Sequence, residues 1–228
     1  MIKGLLASLR LPSLGIAALA VPLLSAVFAA SAPSSAPGSS CGSASSVRGA
    51  TVVFPLGGSH DADLIAEAVL AEVNGERCAA GLSLLATEPT LNRAAAVHTA
   101  DMVSEGFFAH RSPIAGRETP SDRITLAGGQ FRRTAENLGQ GWYMDYEAGR
   151  PFFADDAAAC RFSYTDGTPI NRHSYASLAE ALVAAWMASP GHRENILRRG
   201  VSFHGLSVAP TGETTLCGKL YATQLFAG

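Results

Sequence analysis

The chain has 228 residues, a formal net charge of −2 and 47% hydrophobic residues, enough for one domain with a substantial core. The apolar content is too high for an intrinsically disordered chain, and no basic stripe runs through the sequence, so nucleic acid is not expected as a partner. The four cysteines are widely spaced with no Cys-x-x-Cys pair, which excludes a zinc ribbon or thioredoxin motif.

Residues 1–32 read as a secretory signal peptide. Lys3 and Arg10 make a positive start, 11–30 form an apolar run interrupted by Pro12 and Pro22, and small residues follow, with cleavage after Ala29 or Ala32. The two prolines argue against an anchor helix, so contact with a membrane is expected only through this leader. Residues 33–60 begin PSSAPGSSCGSASS and show no apolar period, which predicts a flexible tether. Cys41 inside it could carry a lipid, but Gly38 stands where an acylation signal has an aliphatic residue. An exported chain with Cys41, Cys78, Cys160 and Cys217 is expected to form two disulfides; three pairings are open.

The domain proper is expected over 61–228. Ile65, Val69 and Val73 recur every four residues and predict a helix over 61–77, capped by Asp61 or Asp63 and ended by Cys78 and Gly81. A second helix over 88–105 has Thr87 as candidate cap, Pro89 in its first turn and Leu91, Ala95, His98 and Met102 on one face. A short helix follows at 120–127, and FRRTAENLGQG suits a strand running into a turn. From 142 to 174 no period is visible, although Trp142, Tyr143, Phe152, Phe153, Phe162 and Tyr164 make the stretch aromatic. Leu178, Leu182, Ala185 and Trp186 mark another helix, with Pro190 and Gly191 as its stop. Val201–Ala209 and Leu216–Phe226 alternate as two strands around a turn. Helices first and a closing hairpin predict an α+β layered domain with a small antiparallel sheet.

Three residues just outside these elements carry the chemistry: His110, Glu136 and His192. Two imidazoles and a carboxylate can hold a divalent metal or share acid and base roles. On their own they are a weak signal, and no His-Glu-x-x-His or Gly-x-Ser-x-Gly is present.

The segments around them are more specific. LNRAAAVHTADMVSEGFFAHRSP, TAENLGQG, AWMASPGHRENIL and YATQLF resemble, in this order, the CAP superfamily of cysteine-rich secretory, antigen 5 and pathogenesis-related-1 proteins, in its bacterial SCP-like extracellular branch. The resemblance runs from about Asp63 to Phe226 and implies an α-β-α sandwich with an antiparallel sheet between helical layers. It also implies a cleft lined by two histidines and two acidic residues, which in some members holds zinc or another divalent ion. By motif, His110 and His192 match the histidines, and Glu136 matches the glutamate of a Gly-Glu-Asn motif whose glycine is Ala135 here. Ser189 occupies the second acidic position, so one carboxylate is missing. Arg123 resembles the family's arginine after the short helix, where an ion pair or helix contact is expected.

The remaining polar residues have simpler readings. His98 is expected as a hydrogen-bonded core residue and His204 as structural. His60 and His173 belong to tether and loop. Asn137 and Asn195 should bond loop backbone, and Trp186 should be core. The segment 142–174 is an insertion, read either as an aromatic lid at the cleft mouth, pinned by Cys160, or as an excursion packed on its own aromatics. Three functions follow: an extracellular module binding a lipid, glycan, peptide or other small ligand, with or without metal; a metal- or histidine-assisted hydrolase; or a structural protein whose surface does the work.

Overall fold

The computed structural model describes residues 41–228, so the leader over 1–32 and the first part of the tether lie outside the described residues. Five helices, α1 (Ala62–Ala79), α2 (Pro89–Ser104), α3 (Pro120–Leu126), α4 (Tyr175–Ala188) and α5 (Pro190–Ile196), alternate with seven strands. The strands are β1 (Ala86–Thr87), β2 (Thr134–Trp142), β3 (Phe152–Asp156), β4 (Arg161–Tyr164), β5 (Pro169–Ile170), β6 (Phe203–Pro210) and β7 (Lys219–Ala227).

The central sheet has the order β1-β6-β7-β2, antiparallel except where β1 joins β6. Its middle strand, β7, shows why both faces are covered. Leu220, Ala222 and Phe226 enter one apolar cluster with α1 and α4, while Leu225 and Ala227 enter another with Leu91, Ala94 and Ala95 of α2 and Ile124 of α3. Two-residue alternation on a strand loaded on both sides requires a helical layer on each. The result is the α-β-α sandwich, with α1, α4 and α5 on one face and α2 and α3 on the other.

Local signals set most boundaries. The Asp61 carboxylate accepts from the backbone N–H groups of Asp63 and Leu64. Thr119 with Asp122 and Ser174 with Ser177 form capping boxes at α3 and α4. At α2 the cap is Glu88 rather than Thr87, because Thr87 lies in β1 opposite His204. Pro190 does more than stop α4. It leaves Ser189 extended and then opens α5, since its fixed φ suits a first helical position.

The tether reading does not hold from residue 41 onward. Ala44, Ala50 and Phe54 are buried, with the Phe54 ring against Tyr143 and Tyr175. The carbonyls of Ala50 and Val52 accept from Ala176 and Tyr175 at the start of α4. Cys41 is bonded to Cys78 at the end of α1, so this segment is fastened at both ends. Isolated anchors separated by Ser and Gly have no period, which is why composition alone reads as a linker.

The insertion has structure of its own. Strands β3, β4 and β5 form a second antiparallel sheet over a cluster of Met144, Phe162, Tyr164, Ile170 and Leu216. The Arg150 guanidinium lies 3.7 Å above the Tyr164 ring. A second disulfide, Cys160–Cys217, ties this sheet to the connection between β6 and β7.

Candidate functional site

Strand β2 is an edge of the central sheet, so side chains from both helical layers reach around it. Successive residues of a strand point to opposite faces, and Glu136 and Asn137 therefore serve different layers. Glu136 faces α2 and α3. Its Oε2 receives the Arg123 guanidinium at 2.5 Å and its Oε1 receives the His110 Nδ1–H at 2.9 Å. The glutamate side chain is 2% exposed and the arginine 0%, while His110 is 56% exposed. The support is buried and the ring edge is open to solvent.

Further bonds hold the loop that carries His110. Arg123 also donates to the carbonyl of Arg117 at 2.9 Å and reaches that of His110 at 3.3 Å. His98 donates its Nε2–H to the Ala109 carbonyl at 3.0 Å, one residue before His110. Its Nδ1 is buried without a partner, and burial pushes this imidazole below the ordinary histidine range despite the Glu136 carboxylate 3.9 Å away. His98 is therefore a neutral core residue that bonds the histidine loop.

Asn137 faces the other layer. Its Nδ2 donates to the His192 carbonyl at 3.2 Å and to Gln224 Oε1 at 2.9 Å, and its Oδ1 accepts from Asn195 at 2.9 Å. Asn195 also donates to the Glu136 carbonyl, and Trp186 Nε1–H to the Leu138 carbonyl, so two edge carbonyls of β2 are capped by side chains of α5 and α4. Gln224 in turn donates to Nε2 of His204, whose ring is fully buried and driven down to about 3 by desolvation. His192 thus stands at the start of α5 on a chain of buried amides. Its own imidazole is lowered by burial first and then by the positive charge of nearby His110.

The structure brings His110 into contact with Glu136 and sets His192 within electrostatic range. Ser189 lies between α4 and α5 and its side chain makes no capping bond. Asn137 and Asn195 bond backbone carbonyls, and Trp186 is buried, as their sequence contexts indicate. His60 stacks on Phe54, and His173 is buried with its Nδ1 against the Ser177 hydroxyl, so neither is a free loop residue. The Gln224–His204 pair was not legible, because a glutamine in YATQLF looks like any polar strand position until burial is known. Arg123 lies within α3 and makes an ion pair, as its resemblance implies, with Glu136 as the partner that the sequence did not name.

A metal held by His110, His192 and Glu136 together fits poorly. Both Glu136 oxygens are already engaged, and among the described residues no group of three His, Cys, Asp or Glu side chains is arranged to hold an ion. The His110 Nδ1–H is committed to a carboxylate, which leaves Nε2 as its outward nitrogen, an orientation common behind metal-bound histidines.

The insertion encloses a hollow of about 320 Å³ against α4, lined by Trp142, Tyr146, His173, Ala181 and Ala185 among others. None of His110, Glu136 and His192 lines it.

The model of the family described as "CAP: Cysteine-rich secretory protein family" matches residues 70–226. A Bacillus subtilis (strain 168) protein described as "Uncharacterized protein YkwD" is 27% identical over 139 residues, covering 61% of this chain and 40% of its own. Among solved structures, an extracellular protein containing a SCP domain from Bacillus anthracis aligns with a TM-score of 0.50 at 20% identity, covering 76% of this chain and 44% of that one. The chain thus spans less than half the length of these two relatives, and the structural likeness speaks to fold alone.

Proposed function

The chain belongs to the CAP family of cysteine-rich secretory proteins, and from that premise we propose that it is an exported binding module whose His110–His192 pair contacts an extracellular or envelope ligand. Export is supported by the leader-like residues 1–32 and by two disulfides, which persist in oxidising compartments. Among the described residues no helix is long and apolar enough to cross a membrane.

The observation that carries the binding role is the asymmetry of exposure at His110. A solvent-facing imidazole rests on a fully buried carboxylate and guanidinium, so its orientation is fixed before any ligand arrives. Preorganised polar groups lose little entropy on binding. The ligand is a lipid, a glycan or a peptide with a hydrogen-bonding group for His110 Nε2 and the His192 ring. A divalent ion at the same place would rest on these two imidazoles and complete its shell with water or ligand; when bound it would polarise the ligand group it touched.

A second reading, hydrolysis, has one specific support. A histidine whose Nδ1–H is held by a carboxylate is oriented as a general base. No cysteine thiolate is available, since all four cysteines are oxidised, and no Gly-x-Ser-x-Gly elbow is present, so this reading takes water as the nucleophile. One experiment separates the readings. The wild type and the His110→Ala/His192→Ala double variant are incubated with palmitate vesicles, a neutral tetrasaccharide and a tetrapeptide, and both retention and products are followed by mass spectrometry. Retention lost in the variant without any product supports the binding module. A product made by the wild type and not by the variant would replace it with the hydrolase, and retention equal in both proteins would remove these histidines from function.

A further inference from the structure

A hollow of about 840 Å³ lies on the insertion, and none of His110, Glu136 and His192 lines it. Its size is in the range of small-molecule sites, ~300–1,000 Å³. We propose that it is a second ligand site, built for a neutral glycan chain and independent of the histidine pair.

The lining sets the chemistry. Buried Met144, Phe162 and Ile170 present an apolar base, and Asp155, Ser163 and Asn171 add a carboxylate, a hydroxyl and an amide. Two arginines are present, and Asp155 and Asp156 beside them leave the hollow with no net positive charge. Arg161 is paired with Asp156 at 2.6 Å, and Arg172 donates to the Phe54 carbonyl at 2.8 Å. A phosphate-rich ligand would find no net positive charge around the hollow, and an acyl chain would strip water from five polar side chains. A sugar chain needs donors and acceptors together with apolar patches for its ring faces, and this lining offers both.

One exposed aromatic stands beside this lining. Phe153 is 58% exposed and stands directly opposite Ser163 in the β3–β4 ladder. The Ser163 hydroxyl donates to Asp155 Oδ1 at 3.0 Å, across a bulge between Ala154 and Asp156. A bulge re-aims the side chain it carries. Here it brings Asp155 beside Ser163, so that the ring, the hydroxyl and the carboxylate share one side of the sheet.

The same features disfavour an extended peptide. Strand addition needs a regular edge, and both edges of this sheet are blunted: β3 by its bulge and β5 by Pro169, which has no N–H to donate.

The test is calorimetric titration of the full chain with cellotetraose and with tetra-N-acetylchitotetraose, beside a tetrapeptide and palmitate vesicles. Phe153→Ala and Asp155→Ala are read in parallel, since both positions are exposed and should leave the melting temperature unchanged. Saturable binding of either sugar, weakened about tenfold by each substitution and retained in His110→Ala/His192→Ala, is the expected result. The proposal is overturned if neither sugar saturates at millimolar concentration, if Phe153→Ala and Asp155→Ala bind as wild type, if binding is lost only in the histidine variant, or if only the peptide or the vesicles bind.

Discussion

Glu136 and Asn137 are neighbours in β2, and each anchors a different histidine: Glu136 holds the His110 ring from one face of the sheet, and Asn137 holds the His192 backbone from the other. An edge strand makes this possible, because two helical layers can meet across it without a further strand intervening. The two histidines are therefore positioned relative to one strand, though they are far apart in sequence.

The two anchors should fail differently. Glu136→Ala leaves the Arg123 guanidinium buried without its carboxylate, a change that typically costs about 3–5 kcal/mol. Asn137→Ala removes neutral hydrogen bonds and should cost about 1–3 kcal/mol. Urea denaturation gives both numbers. Histidine NMR gives the locality: Asn137→Ala should move the His192 resonances and leave His110 nearly unchanged. Movement of both by the same amount would mean that the two supports are one network.

Acid should weaken the fold through His204. The folded imidazole titrates at about 3 because it is fully buried, whereas an unfolded histidine titrates near ~6.5. The unfolded state therefore binds the extra proton between these values. The stabilisation is complete above pH ~6.5 and is lost as pH falls toward about 3, at roughly 1.4 kcal/mol per unit. His60, His98, His173 and His192 are lowered as well and act in the same direction. Denaturation curves from pH 7 to 4 should show His204→Gln with a slope flatter by close to one proton. Parallel curves for variant and wild type would assign acid sensitivity to other groups.

The layered fold was readable because its long helices bury one stripe each. Ile65, Val69 and Val73 repeat at helical spacing, and Asp61 stands where a cap belongs. The insertion was readable as aromatic but not as a sheet, since β5 has two residues and β3 is bulged, which leaves no alternation long enough to see. Residues 41–60 gave the opposite impression from their structure because their order comes from bonds to α4 and a disulfide, both long-range. At the site, His110, Glu136 and His192 stand in recognisable segments. Their supports are less visible: Arg123 reads as an ion pair without a named partner and His204 as structural, while Gln224 is an ordinary strand letter until burial makes it part of the scaffold.

Zinc affinity should be limited by the carboxylate that Ser189 replaces. With Glu136 engaged by Arg123 and His110, calorimetry of metal-stripped protein at neutral pH should find weak binding that disappears in His110→Ala and in His192→Ala. Ser189→Glu adds an acidic side chain three residues before His192 and should raise affinity about tenfold or more. Tight, stoichiometric binding by the wild type, lost in Glu136→Gln, would show instead that Glu136 leaves Arg123 to become a ligand.

The disulfides should protect different regions. Cys160–Cys217 closes a separation of 57 residues and joins β4's approach to the β6–β7 connection, where Leu216 enters the insertion's own cluster. Removing it as Cys160→Ser/Cys217→Ser should cost roughly 2–4 kcal/mol at most, because the aromatic cluster remains to hold part of the insertion. Hydrogen exchange should rise in β3, β4 and β5 while β2, β6 and β7 keep their protection. Cys41→Ser/Cys78→Ser should instead expose amides over 44–56 and around the start of α4, whose first turn bonds Ala50 and Val52. If either pair of substitutions raises exchange uniformly across the domain, the insertion and the N-terminal strap are parts of one cooperative unit rather than separately fastened segments.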